Sequence, residues 1–128
     1  MSDLNSTHNR AVWFDIPVAD LDRAAAFYRG VLAINVEKAQ FDNFSFCVLQ
    51  HDDGNGGCLV PKASEVTANT GVLLYPNANG RIRKAVSHVP ALGGKVLEPT
   101  HAIGPHGFRA VVLDSEGNRI ALHSSVDA

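Results

Sequence analysis

The sequence repeats itself at a spacing of about 60 residues, and this repeat limits the folds that the chain can adopt. A shift of 60 positions aligns RAAAFYRGVLAINVE (23–37) with RKAVSHVPALGGKVLE (83–98), and each segment reads as a helix that runs into a strand. A shift of 63 positions aligns DDGNGGCLV (52–60) with SEGNRIALH (115–123), and each reads as a turn that runs into a strand. Because two different elements repeat in the same order, we infer an internal duplication of one supersecondary unit.

The first half predicts the element order β-α-β-β-β. AVWFDIPV alternates like a half-buried strand, Asp20 is a suitable N-cap, and apolar residues then recur at helical spacing until about Gly30. The INVE stretch predicts the second strand. FSFCVL, a DDGN turn and GGCLV predict a hairpin, because Asp-Gly tolerates the positive φ that tight turns require.

The second half predicts the same order. GVLLYP is followed by a helix with an apolar stripe, by KVLEP, by the Gly- and Pro-rich loop HAIGPHG, and by FRAVVL, an SEGN turn and RIALH. Pro90 lacks an amide donor, so we expect the helix to kink or to end early there. We therefore predict a single domain over residues 1–128, with modules at about 10–61 and 70–124 and a linker at 62–69.

Composition excludes several classes of partner. The 11 basic and 13 acidic residues give a net charge of -2, which offers no case for binding nucleic acid or an anionic membrane. No apolar run approaches the roughly 18 residues of a membrane span, so we expect a cytoplasmic protein whose partner is a small molecule. Cys47 and Cys58 lack metal-binding spacing, and we expect both to be free thiols.

The combination of IPVADLDRAAAFYRGVL near the front with GGKVLEP and GFRAVVLDSEGNRIALHS near the back resembles the glyoxalase / bleomycin-resistance / extradiol-dioxygenase group, the vicinal oxygen chelate superfamily. The resemblance runs from about Ala11 to Ser124. It implies an α+β fold in which two tandem β-α-β-β-β modules curl their mixed sheets into a cup, and it implies a homodimer. It does not identify a reaction, because the group includes isomerases, epimerases, dioxygenases, thiol transferases and drug-sequestering proteins.

Metal-dependent members of this group take one His or Glu ligand from each of four strands. The resemblance and the internal repeat carry these four positions onto Trp13, Cys58, Val72 and Ala121. Three of these side chains have no donor atom, and a lone thiol does not make a metal site. We therefore expect no metal cofactor, and we keep as an alternative a non-standard metal held by Asp15, His106 and His123.

Alternate residues of a strand share a face, so the four positions predict the lining of the cup. The predicted ligand-contacting residues are Trp13, Asp15, Cys58, Val72, Leu74, Arg119, Ala121 and His123, joined by Cys47 and Phe108 if the hairpin turns have two residues, and by His106 from the loop. The opposite set, Val12, Phe14, Ile16, Ile120 and Leu122, is apolar and is predicted to pack under the helices.

Two functions fit this lining. The first is a metal-independent protein that binds a small apolar or aromatic molecule in the cup, and we favour it. The second is an enzyme that uses Asp15 and His123 as an acid–base pair. Each residue also has a structural interpretation, because Asp15 can pair with His123 or Arg119, and a histidine near a strand end can simply hold its neighbours.

Overall fold

The computed structural model describes residues 6–66 and 71–128, and it contains the order β-α-β-β-β twice. The elements are β1 Ala11–Val18, α1 Leu21–Leu32, β2 Val36–Phe41, β3 Phe44–Leu49, β4 Cys58–Pro61, β5 Leu73–Pro76, α2 Ile82–His88, β6 Lys95–Ala102, β7 Phe108–Leu113 and β8 Arg119–Ser124. Single 3-10 turns follow β4, α2 and β6, at Ala63–Glu65, Pro90–Leu92 and Gly104–His106. The predicted α+β fold class and the predicted duplication are both confirmed. Of the predicted linker, residues 67–69 lie outside the described residues.

The chain forms two compact units, each with its own helix. The first unit comprises the described residues of 14–72, and the second comprises residues 6–13 together with 73–128. The division falls inside β1, so the beginning of that strand groups with the second module. Among the described helices α1 is the longest, with 12 residues, and none is long and apolar enough to cross a membrane.

In the first unit, four strands lie in the order β2-β3-β4-β1, with β1 and β4 parallel and the other pairs antiparallel. The predicted N-cap is confirmed, because Asp20 Oδ1 accepts a hydrogen bond of 3.0 Å from the Arg23 amide. The helix continues past Gly30 and ends at Leu32, and its C-cap residue Ala33 adopts the left-handed conformation with φ of 54°. Helix α1 covers one face of this sheet. The buried core there consists of Val18, Ala25, Val36, Cys47, Leu49 and Leu59, with Phe14 and Ile16 packed against it.

In the second unit, β6, β7 and β8 form an antiparallel sheet, and the residues that follow β5 hydrogen-bond to β8 through Ala78 N and His123 O at 2.8 Å. Helix α2 ends at His88, as expected from Pro90, which begins the following 3-10 turn. Helix α2 also covers a sheet face. The core beneath it consists of Ala78, Ile82 and Ala110, with Ala85, Val86 and Leu122 packed against them.

Both β-hairpins that close the modules have loops with an odd number of residues. Leu113 pairs with Arg119, so the β7–β8 loop contains the five residues from Asp114 to Asn118. The Asp114 carboxylate holds this loop by accepting the amides of Glu116 and Asn118, each at 2.9 Å. In the β3–β4 hairpin, Cys47 pairs with Leu59. An odd loop reverses which alternate residues of the two strands share a face, compared with the two-residue turns that we expected.

The segment after β8 folds back onto the start of α2. The Arg83 amide donates to the Ala128 carbonyl at 3.2 Å, and the Arg83 guanidinium pairs with Asp127. No side chain caps this helix at Arg81, so the distant carbonyl takes up an amide that the helix cannot satisfy itself. Ser124, which is fully buried, accepts from the Gly80 amide at 3.0 Å and donates to the Val126 carbonyl at 2.6 Å.

Candidate functional site

In the first unit, the structure brings together Asp15 and Cys58. The two residues are neighbours on parallel strands, and Cys58 Sγ donates to Asp15 Oδ1 at 3.1 Å. They therefore share the sheet face that does not carry α1. Trp13 precedes Asp15 by two residues on β1 and is 9% exposed, but it belongs to the second unit.

Cys47 does not lie on the Asp15 face, and its prediction as a ligand contact is wrong. It pairs with Leu59 and packs in the core under α1, where its side chain is 1% exposed. The physical reason is the odd β3–β4 loop, which reverses the alternation that we assumed. Burial raises the pKa of the Cys47 thiol, so this cysteine is a neutral, apolar core residue at ordinary pH.

The same error affects Phe108. Register pairs Ala110 with Leu122, and both pack under α2, so Phe108 belongs to the helix-covered face and its predicted role is wrong. The opposite face of β7 and β8 carries Arg109, Val111 and Leu113 across from His123, Ala121 and Arg119. Alternation thus brings Arg119, Ala121 and His123 together as expected, and it adds Arg109, which the sequence analysis missed.

Arg109 is the centre of a polar cluster in the second unit. Its Nη1 donates to the Tyr75 hydroxyl at 2.7 Å, and its Nε donates to His101 Nε2 at 3.2 Å. Glu98 Oε1 lies 3.9 Å from Arg109 Nη2, which is longer than a charge-assisted hydrogen bond. His101 lies on β6, although we expected it in a loop. Its Nδ1 donates to the Pro99 carbonyl at 2.9 Å, so a neutral ring leaves Nε2 as the acceptor for Arg109.

Tyr75 lies on the face of β5 to which the sequence analysis assigned its neighbour Leu74. Its ring centroid lies 6.3 Å from that of His123, and its side chain is 4% exposed. Leu74, which points to the other side of β5, is 49% exposed, and its prediction as a contact on the His123 face is wrong. Val72 lies just before β5 in the first unit and is 54% exposed. The repeat offset of 60 pairs Trp13 with Leu73, so Val72 is one residue away from the matching position. A shift of one residue along a strand places the side chain on the opposite face of the sheet.

His123 is held by the loop before β7. Its Nε2 donates to the His106 carbonyl at 2.7 Å, which leaves the lone pair of a neutral ring on Nδ1. Burial lowers the pKa of His123, so the neutral form is favoured. Gly107 permits this approach, because it has φ of 97° and a Cβ there would lie 2.6 Å from the Ser124 carbonyl oxygen.

The residues at the four expected ligand positions do not fit a divalent metal ion. Ala121 is fully buried and has no donor, and Trp13 and Val72 have none either. Cys58, the fourth, uses its thiol to hydrogen-bond Asp15. In the described parts of the chain, no group of three His, Cys, Asp or Glu side chains could hold an ion, and this applies equally to the alternative set of Asp15, His106 and His123.

Comparison with known proteins agrees with this architecture. The family model for the bleomycin resistance protein-like N-terminal region matches residues 10–47. A hypothetical protein from Bacillus halodurans superposes with a TM-score of 0.69 at 13% identity, covering 91% of this chain and 94% of that chain. A variant of Streptomyces coelicolor methylmalonyl-CoA epimerase in complex with 2-nitronate-propionyl-CoA gives 0.66 at 16% identity, covering 91% and 97%. The N-terminal segment is thus similar to the bleomycin resistance protein-like family, and the fold is that of these solved structures.

These similarities establish the fold and leave the reaction open. Methylmalonyl-CoA epimerase from Mycobacterium tuberculosis superposes with a TM-score of 0.65 at 15% identity, covering 97% of this chain and 90% of that chain. Identities this low are evidence about fold alone. No curated protein sequence matches the chain.

Proposed function

We propose that this protein binds a small apolar or aromatic molecule that carries an acidic oxygen, and that Arg109 receives this oxygen. The observation that carries the proposal is the 2.7 Å hydrogen bond from Arg109 to Tyr75, together with the bond from Arg109 to His101. Tyr75 and His101 each accept a hydrogen bond from Arg109 and neither is a carboxylate, so these two contacts orient the guanidinium. A planar guanidinium fixed in this way is well suited to a carboxylate or a similar oxyanion.

The charge balance around Arg109 supports an anionic ligand. The Arg109 side chain is 23% exposed, whereas the Glu98 side chain is 52% exposed and lies 3.9 Å from it. A partly buried cation gains most from a counter-ion that is equally desolvated. A ligand carboxylate can take the place of Glu98, which is free to move into solvent.

The apolar part of the ligand is expected to contact the residues next to Arg109 on the same face. Val111 and Ala121 pair across β7 and β8 on this face; both are buried, so a ligand contacts them only when the residues that cover them move aside. Apolar walls with a few polar groups that fix orientation are the usual composition of a small-molecule site. The proposal uses no metal ion, in keeping with the donor set described above.

Calorimetric titration with phenylacetate and with neutral phenylacetamide tests this function. We expect saturable binding of phenylacetate, weaker binding of phenylacetamide, and a loss of about tenfold or more in phenylacetate affinity in Arg109→Gln. Arg23→Gln is the matched control, because it removes the same charge from an exposed position on α1. Equal binding of the acid and the amide, or equal loss in both variants, would refute the role of Arg109.

A second candidate function, acid–base catalysis, is favoured by the state of His123. This histidine is kept neutral by burial, and its Nε2–H is engaged with His106, so Nδ1 is the atom able to take a proton. Methylmalonyl-CoA, named in the fold neighbours, is a reasonable first substrate to test. Solvent deuterium incorporation at its α-carbon, lost in His123→Gln, would support an enzyme. No incorporation would argue against it, and Asp15→Ala would test the partner residue separately.

The assembly and location of the protein are further proposals. We propose a homodimer in the cytoplasm, on the basis of the superfamily resemblance and the composition. Light scattering coupled to size-exclusion chromatography measures the mass directly, and a mass near 13.7 kDa would contradict the dimer.

A further inference from the structure

A groove of about 400 Å³ lies in the second unit, on the sheet face opposite to Arg109. It runs between α2 with its following 3-10 turn on one side and the β7–β8 hairpin on the other. Its volume falls within the range of roughly 300–1,000 Å³ that is typical of small-molecule sites. The apolar walls consist of Ala85, Val89, Leu92, Val112, Ile120 and Leu122.

The groove lies next to the point where α2 ends. The helix ends at His88, before Pro90, and the chain then turns away at Gly93, which has φ of 92°. Leu92, in the turn that follows the helix, lines the groove and remains 73% exposed. The apolar wall is therefore open to an incoming molecule.

The cationic group that the groove offers to an anion is the Arg81 guanidinium. Arg81 and His88 both line the groove from the helix side, seven residues apart, which corresponds to about 10 Å along the axis. Within residues 6–66 and 71–128, the Arg81 guanidinium has no hydrogen-bonding or ionic partner. On the opposite wall, the Asp114 carboxylate is occupied by its own turn, including Asn118 Nδ2 at 3.0 Å. The Arg81 guanidinium is thus the group of the groove that can pair with a ligand anion, whereas the Asp114 carboxylate keeps its charge and is held by its own turn.

We propose that this groove is a second binding site, which takes a small amphiphilic anion such as a medium-chain carboxylate. The hydrocarbon part lies between Val89 and Ile120, and the carboxylate pairs with Arg81. This inference is independent of the function proposed for Arg109, because the two sites lie on opposite faces of the sheet and share no residue.

Calorimetric titration with sodium octanoate tests the proposal, with 1-octanol as the neutral probe of equal chain length. We expect octanoate to bind saturably and more tightly than octanol. Arg81→Gln is expected to weaken octanoate binding about tenfold, as for the loss of one charge-assisted hydrogen bond. Leu92→Glu, at an exposed position that the fold tolerates, is expected to weaken it by repulsion and to leave the melting temperature unchanged.

Two control variants distinguish this site from others. Lys84→Gln removes an exposed positive charge from the same helix away from the groove, and it should leave octanoate affinity unchanged. Octanoate is itself an apolar carboxylate that can also occupy the Arg109 site, so Arg109→Gln should leave unchanged the component of octanoate binding that Arg81→Gln weakens. Absence of saturable octanoate binding, equal affinity for octanol, or a loss that follows Arg109→Gln and spares Arg81→Gln would each overturn the proposal. The last of these results would still be consistent with the function proposed for Arg109.

Discussion

The two cysteines allow a sharp test of which residues face the α1 core. Cys47→Ser and Cys58→Ser make the same chemical change on adjacent strands. Cys47 is 1% exposed among apolar side chains, whereas Cys58 donates to the Asp15 carboxylate at 3.1 Å. We expect Cys47→Ser to destabilise the protein strongly and Cys58→Ser to have little effect.

The magnitude follows from the surroundings of each sulfur. A hydroxyl buried without a partner costs about 1–3 kcal/mol, and Cys47→Ser places one in the core between α1 and the sheet. For a chain of this length, about 2 kcal/mol corresponds to a fall of roughly 6–10 °C in melting temperature. In Cys58→Ser the hydroxyl keeps the carboxylate of Asp15 as its acceptor, so we expect a change within about 1 kcal/mol.

Urea unfolding under reducing conditions, followed by far-UV circular dichroism and by the fluorescence of Trp13, measures both effects. The chain contains two compact units, which could unfold separately. The transitions from circular dichroism and from fluorescence must therefore coincide before one free energy of unfolding is derived. Cys47→Val, which keeps the side chain apolar, is the control and should cost less than about 1.5 kcal/mol. If Cys58→Ser is as destabilising as Cys47→Ser, the assignment of the two faces is wrong.

Three further predictions concern packing, pH and the C-terminal segment. Gly57→Ala places a Cβ 2.5 Å from the Phe14 ring and should cost about 1–3 kcal/mol by thermal melting, whereas Gly30→Ala, in open space on α1, should be neutral or stabilising. Because the pKa of His123 is lowered in the folded state, its stabilising contribution is complete above its ordinary pKa of 6.5 and is lost as the pH falls below that value; the drop in melting temperature between pH 7.5 and 5 should be smaller in His123→Gln. Asp127→Asn should lower the melting temperature only slightly, by about 1–3 °C, because exposed ion pairs contribute little, and a drop above about 5 °C would contradict this estimate.

The element order could be predicted from the sequence, because it depends on local signals. Two helix boundaries follow from single residues, namely the N-cap Asp20 and Pro90 after α2. Most strand positions follow from the spacing of apolar residues. The apolar spacing that predicts a helix or a strand lies within one continuous segment. Predicting such an element therefore needs no knowledge of distant parts of the chain.

The candidate site was harder to predict, because it depends on the phase of each strand. The apolar run FRAVVL gives no indication of which alternate set faces which side, and the five-residue loop from Asp114 decides it. An even loop would place Phe108 on the face of His123, whereas the observed odd loop places Arg109 there. The repeat offset of 60 could have corrected a second error, since it leads from Asp15 to Tyr75 and not to Leu74. His101 was missed because strand β6 extends into the segment that looked like a loop.

The carbonyl of Ala128 that caps α2 also has a consequence for the order of folding. A helix of seven residues is too short to persist alone, and this one receives its amide acceptor from a segment made more than forty residues later. During synthesis, the sheet strands β6 to β8 therefore become available before the helix can be completed. Deleting residues 125–128 from the folded protein would act in the reverse direction, by fraying α2 first while the strands beneath it remain paired.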